Sequence, residues 1–219
     1  MATISRSRQQ AAKAHGKEGT RRRVITAATA CFERDGYLQT TMADVAREAG
    51  VAVQTLYLSF GSKIALLAAA PDVAIAGDDE PIPIMERGWY RACIDEPQAP
   101  AAVAGFVDGA SRVIARHHRL FAAMLGSSAD PEVGQLLAAN KSARLTVHRR
   151  FAVSVIGKPG ARPGLRPPEV TNTVYALVSP ECFGLLVGER GMSRTRWRAW
   201  VLQHLAAEIL IGGNDSGQR

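Results

Sequence analysis

Between Val53 and Phe60 the chain reads Val-Gln-Thr-Leu-Tyr-Leu-Ser-Phe. These side chains suit the floor and walls of a nucleic-acid groove. A glutamine amide can pair both edges with adenine, threonine and serine hydroxyls can reach bases or phosphates, and valine or leucine can touch a thymine methyl. On a helix, Leu56 and Phe60 stand four apart and face inward together. That leaves Val53, Gln54, Thr55, Tyr57, Leu58 and Ser59 turned outward to varying degrees. Tyr57 can donate its hydroxyl to a phosphate, and Lys63 adds charge where the next helix begins and already favours anions. An exposed Leu58 beside an exposed Tyr57 is costly in water and sensible against DNA.

Such residues act only if a scaffold holds them. Thr41-x-x-Asp44 reads as a capping box opening a helix with Met42, Val45, Ala46 and Ala49 on one face. Gly50 ends that helix, because only glycine leaves in the left-handed conformation without a Cβ penalty. A turn of three or four residues then leads into the short second helix, and Ala46 and Ala49 are small enough for the two helices to approach closely. The pattern is a helix-turn-helix. Upstream, Val24, Ile25, Ala28, Cys31 and Phe32 fall at helical spacing and stop at Asp35-Gly36. Downstream, Gly61 breaks the helix and Ser62 caps another, running through Leu66 and Leu67 to Ala70. A plain helical hairpin in an α-helical protein would give the same pattern.

Charge favours the nucleic-acid reading. The 219 residues carry a formal +7, from 27 Lys and Arg against 20 Asp and Glu. Residues 1–64 hold ten basic and five acidic side chains, and the first 23 hold seven basic residues and only Glu18. A basic end on a near-neutral body fits a polyanion met at one end. Arg21-Arg22-Arg23 oppose the dipole at a helix start, a mismatch that a nearby phosphate backbone would offset.

Composition is ordinary for a globular chain, at 47% apolar, 21% charged and 6% aromatic residues. No apolar run approaches the ~18 residues of a membrane helix, and the basic N-terminus lacks a signal peptide's apolar stretch, so the expected location is the cytoplasm. Cys31, Cys93 and Cys182 are odd in number and widely spaced, which disfavours a disulfide framework or zinc finger. His117-His118, His148 and His204 lack carboxylates at ligand spacing, so no metal and no cofactor is expected. No Ser-His-Asp order, G-x-S-x-G, P-loop or H-E-x-x-H appears, which argues against an enzyme.

Strand signals are nearly absent, and an all-α fold is expected. Gly77-Asp-Asp-Glu-Pro81-Ile-Pro83 marks an acidic, proline-bearing break. Further helices are predicted over 84–94, 99–117, 118–127, 131–156, 168–188 and 193–211, with Pro180 kinking its helix. Asp130-Pro131 is a strong helix start. Residues 157–168, with four Pro and three Gly, are expected to form a mobile loop. Between the later helices, Trp89, Phe106, His117, Phe121, Met124, Phe151 and Tyr175 are candidates to line an effector cavity, although each would also serve as ordinary core. Polar anchors are scarce there, so the expected effector is apolar or amphipathic.

The run Phe32–Gly36–Tyr37, then Thr41-Met42-x-Asp44-Val45-Ala46-x-x-Ala49-Gly50-Val51, then Thr55-Leu56-Tyr57-x-x-Phe60-x-Ser62-Lys63-x-x-Leu66-Leu67 closely resembles the N-terminal domain of TetR-family transcriptional regulators. The resemblance implies an all-α homodimer with a three-helix DNA-binding domain and a larger C-terminal domain for a small effector. The implied organisation is a disordered basic tail at 1–18, a DNA-binding domain at 19–70, an effector and dimerisation domain at 71–211, and a disordered tail at 212–219. It places Val53, Gln54, Leu58 and Ser59 against bases, and Thr41, Thr55, Tyr57 and Lys63 against phosphates. The family often has an aromatic residue or His at 58 and 59, where this chain has Leu and Ser. An effector-released repressor on a pseudo-palindromic operator is the implied function. The helix at 63–70 is its link to the body.

The dimer contact is expected near 168–188 and 193–211. There Val170, Val174, Leu177 and Val178, and Trp197, Trp200, Val201, Leu205 and Ile209, form two apolar stripes; core packing within one chain is the competing account. An architectural DNA-binding protein without an effector, or a helical enzyme, are the alternatives to the regulator.

Overall fold

The computed structural model describes residues 2–76 and 82–212. Ten α-helices follow one another: α1 (Ala2–Asp35), α2 (Met42–Ala49), α3 (Val53–Phe60), α4 (Lys63–Ala76), α5 (Gly88–Asp95), α6 (Ala99–Gly126), α7 (Pro131–Val155), α8 (Pro167–Leu177), α9 (Pro180–Phe183) and α10 (Arg194–Ile209). A 3-10 turn at Ile84–Glu86 precedes α5, and α9 runs on into a wider π turn over Gly184–Glu189. Among the described residues the only extended pairing is one antiparallel bridge, Ala161 with Leu210.

α1 to α4 form the first core. α1 contributes Val24, Ile25, Ala28, Cys31 and Phe32, α2 contributes Met42, Val45, Ala46 and Ala49, and α3 contributes Leu56. The expected capping box is present: Asp44 N–H donates to Thr41 Oγ1 at 3.1 Å and Thr41 N–H donates to Asp44 Oδ2 at 3.0 Å. Gly50 closes α2 at φ 64°, ψ 41°, donating to the carbonyls of Ala46 and Arg47. Two boundaries differ from the sequence expectation. The helix backbone of α1 begins at Ala2, where a disordered tail over 1–18 is expected; that segment is rich in Ala, Gln, Arg and Lys and holds no proline. α4 continues through buried Pro71 to Ala76 rather than stopping at Ala70, because proline removes one hydrogen bond without forcing the chain out of a helix. Residues 77–81 of the acidic break, and 213–219 of the expected C-terminal tail, lie outside the described residues.

The second core gathers α5 to α10 around Tyr90, Phe106, Phe151, Val174, Phe183 and Trp197. α6 belongs to both cores. Its N-terminal half supplies Val103, Phe106, Val107 and Ile114 to the second, while Leu120, Phe121 and Met124 enter the first with α1 and α4. The predicted division into 99–117 and 118–127 does not occur, since nothing between Arg116 and Leu120 breaks a helix.

Three further expectations are corrected. Residues 168–188 are not one kinked helix: α8 stops at Leu177, and extended Ser179 accepts from Cys182 N–H, so Pro180 opens a new helix at its favoured first position. The loop at 157–168 is pinned by distant backbone, with Arg162 N–H donating to Ile209 O at 2.7 Å, Ile211 N–H to Gly160 O at 3.1 Å and Ala99 N–H to Pro159 O at 2.9 Å. The two apolar stripes assigned to the dimer contact are largely consumed inside the chain. Val170, Val174, Trp197, Val201, Leu205 and Ile209 are fully buried in the second core, and only Leu177 and Trp200 stay partly accessible. Against the expectation that no run approaches membrane length, the stretch Pro167–Glu189 is, by length and composition alone, apolar enough to cross a membrane. It is interrupted at Val178–Ser179 and packs into that core.

Candidate functional site

Along α3 only Leu56 is buried, and it packs into the first core with α2 and α4. Phe60 is half-buried, with the Arg21 guanidinium 4.8 Å from its ring centroid. The six remaining side chains point to solvent as the sequence predicts. Leu58 is 83% exposed and Tyr57 is 53% exposed, and Val53 and Gln54 sit one turn before them on the same face. Thr41 is exposed at the head of α2, beside this face.

Lys63 is placed differently from expectation. Its Nζ donates to Tyr37 O at 2.8 Å and Thr40 O at 2.9 Å and lies 4.2 Å from the centre of the Tyr37 ring. Burial lowers its pKa, although Asp130 opposes this. The ammonium therefore ties α4 to the α1–α2 loop. Positive charge near α3 comes from exposed Arg21, whose guanidinium lies over Phe60. Arg34 is matched by Asp35 and Glu48, and Arg47 by Asp44.

The second site is a cavity of about 520 Å³ between α6, α7, the Ile82–Met85 segment and the α8–α9 break. That volume suits a drug-sized molecule. Trp89, Phe106 and His117 line it as predicted, but Phe121, Met124, Phe151 and Tyr175 do not. Phe121 and Met124 are drawn into the first core because α6 continues past the cavity. Phe151 stacks behind Phe106 with centroids 4.0 Å apart, and Tyr175 lies under the Arg144 guanidinium at 4.4 Å. Gly109 lets Trp89 lie flat on α6, since a Cβ there would stand 2.1 Å from the indole.

Sequence reasoning missed the polar wall. Asn140, Arg144 and His148, at i, i+4 and i+8 on α7, all line the cavity. The available signal was a helix on which polar residues share the face of buried Leu137, Phe151 and Val155. Arg144 holds Glu181 with two hydrogen bonds of 2.7 and 3.0 Å, and its Nε is buried without a partner. Burial opposes both charges, but their mutual hydrogen bonds keep Glu181 below the ordinary carboxylate range and raise Arg144. His148 Nδ1 is likewise buried and unpartnered. Burial, reinforced by the Arg144 charge, pushes His148 down to about 3. Burial also lowers His117, whose Nδ1 lies 3.0 Å from Val113 O, so that nitrogen carries the proton and Nε2 is left as an acceptor.

Residues 24–70 match the sequence model of the bacterial regulatory proteins, tetR family. No curated protein matches the sequence. Solved structures share the fold. The transcriptional regulator FadR from Bacillus subtilis, in complex with stearoyl-CoA, is 18% identical over 84% of this chain and 96% of its own, with a TM-score of 0.63. SmeT in its triclosan complex is 21% identical over 89% and 93%, with a TM-score of 0.68. NalD, the secondary repressor of the MexAB-OprM multidrug efflux pump in Pseudomonas aeruginosa, is 14% identical over 90% and 98%, with a TM-score of 0.63.

Proposed function

We propose that this chain, whose residues 24–70 match the sequence model of the bacterial regulatory proteins, tetR family, is a transcriptional repressor of that family that binds a pseudo-palindromic operator as a homodimer and is released by a small effector. The observation that carries this reading is α3, which buries Leu56 alone and turns Val53, Gln54, Thr55, Tyr57, Leu58 and Ser59 outward. Val53, Gln54, Leu58 and Ser59 meet base edges. Thr41, Thr55 and Tyr57 meet phosphates, with Arg21 close by, and Lys63 holds the frame. Such a regulator works in the cytoplasm.

Two copies of α3 must enter successive major grooves ~34–36 Å apart or at a multiple of that distance. An effector that prefers another spacing shifts the population away from DNA; one that binds both forms equally does nothing. α6 supports this coupling, since Val113, Ile114 and His117 line the cavity and Leu120, Phe121 and Met124 pack against α1 and α4. α4 is tied to the same helix by Arg116 Nε, which donates to Ala74 O at 3.2 Å. The dimer uses the outward faces of α8 and α10, around Asn172, Ala176, Ala199 and Gln203.

The cavity favours an effector-responsive regulator over an architectural DNA-binding protein, and the stearoyl-CoA and triclosan held by FadR and SmeT lend this support. The deciding experiment is selection of bound duplexes from a random DNA pool. Enrichment of an inverted repeat is expected. Binding without an enriched motif would replace the repressor with the architectural reading, and absence of binding by the ligand-free protein would overturn both.

A further inference from the structure

The effector cavity is two-sided. One wall is apolar, built from Met85, Trp89, Phe106, Ala110, Val113 and Ile114. The other is the α7 ridge of Asn140, Arg144 and His148. From this asymmetry we infer that the cavity takes an uncharged amphipathic molecule with a single hydrogen-bonding head, such as a ketone, lactone, amide or alcohol, whose head meets Arg144 Nε and His148 Nδ1 and whose apolar body lies against Trp89 and Val113. The inference rests on the reading of this cavity as the effector site and specifies what fills it.

Two buried polar atoms without a partner stand on residues one helical turn apart on this wall. A buried donor or acceptor left unmade is expensive, and a ligand atom that completes it recovers that cost. His148 is almost wholly buried, with its ring between Phe106 and Tyr175 at centroid distances of 5.7 and 5.8 Å. Its free nitrogen can therefore be completed only from within the cavity or by trapped water. Arg144 Nε–H is a donor in every protonation state, so the head must offer an acceptor.

The charge balance sets the head's charge. The Arg144 fork is closed by the Glu181 carboxylate, so its charge already has a counter-ion. Lys141, which does not line the cavity, stands 3.9 Å from Glu181 at the edge of ion-pair range. His117 and His148, the other titratable groups on the walls, are held neutral by burial. An anionic head would have to share the Arg144 guanidinium with Glu181, offset only by the partly exposed Lys141 ammonium, which stands off the cavity wall. A cationic head would abut that guanidinium. Either leaves an uncompensated charge out of water, whereas an uncharged acceptor leaves none.

The test is titration of the full-length protein with matched probes, 2-decanone, decanoate and decyltrimethylammonium, followed by calorimetry and by Trp89 fluorescence. 2-Decanone is expected to bind about tenfold or more tighter than either ion. His148→Phe, which keeps the ring and removes the nitrogens, is expected to weaken 2-decanone about 3- to 10-fold. Asn140→Leu, on the half-buried outer turn of the ridge, serves as a second variant should the first fail to fold, and is expected to weaken it less. Tighter binding of decanoate or of the ammonium, or equal binding of 2-decanone by wild type and a folded ridge variant, would overturn the inference. So would failure of all three probes. DNA binding, measured separately on the same protein without probe, tells that failure apart from failure of the repressor reading.

Discussion

The two sites of this chain carry their chemistry on opposite sides of their helices. α3 hides one leucine and holds its amide, hydroxyls and even Leu58 out in water. α7 turns Asn140, Arg144 and His148 inward, where two polar atoms find no protein partner. A helix that reads an external surface must be rigidly backed and outwardly incomplete. A helix that walls a cavity is incomplete on its inner face, and its cost is set by burial. The first arrangement is tuned by exposed side chains with little effect on stability. The second couples ligand, protonation and folding.

The comparison breaks first at the cavity. Phe106→Ala, which removes the partner of Phe151 and part of the apolar wall, is expected to cost about 3–5 kcal/mol in urea denaturation. If it also melts the first core at the same midpoint, the two regions form one cooperative unit through α6. Acid gives the next largest effect. His148 titrates near 6.5 when unfolded and at about 3 when folded. Its neutral burial therefore carries no proton-linked penalty above pH 6.5, and stability falls as pH drops below that. Between pH 6.5 and 4.5 the loss is about 2–3 kcal/mol, and it should largely disappear in His148→Phe when unfolding is measured at each pH.

On the outward helix the effects are smaller and appear in affinity. Gln54→Ala is expected to lose about 1–3 kcal/mol of discrimination at one base pair of the selected operator, with an unchanged melting temperature. A lowered melting temperature would mean that Gln54 also supports the fold. Smallest is Thr41→Ala, which removes the cap of α2 and is expected to cost about 1 kcal/mol of stability. Its DNA affinity, set beside that of Thr41→Asp, separates the cap from the phosphate contact: Asp keeps the cap but repels phosphate, so a loss that persists in Thr41→Asp while stability returns points to the contact.

The first site was legible because its determinants are local. Thr41 and Asp44 are three residues apart, Gly50 needs only its own backbone angle, and Leu56 and Phe60 are one turn apart. The bonds of Lys63 to Tyr37 and Thr40 were not legible because these partners lie more than twenty residues upstream. The cavity was half legible. Trp89, Phe106 and His117 were within reach of a search for aromatic and apolar positions, but Arg144 and His148 take their places on the wall only once α8 and α9 supply Tyr175 and Glu181. Phe121 and Met124 went to the wrong core because periodicity along α6 does not say where one neighbour ends and the next begins. The α8 and α10 stripes failed for a related reason: an apolar stripe specifies that a face is covered, without naming the chain that covers it.

α6 is a single helix of 28 residues with no internal proline after its first turn. At ~1.5 Å per residue it spans about 42 Å. Its middle, from Phe106 to His117, faces the cavity and its C-terminal end lies in the other core. A tilt of about 5° around its middle would carry each tip roughly 2 Å, comparable with the helix shifts that switch packed interfaces between discrete states. If the proposed effector fills the cavity, stiffness alone would carry its action to the other core, with no element required to unfold.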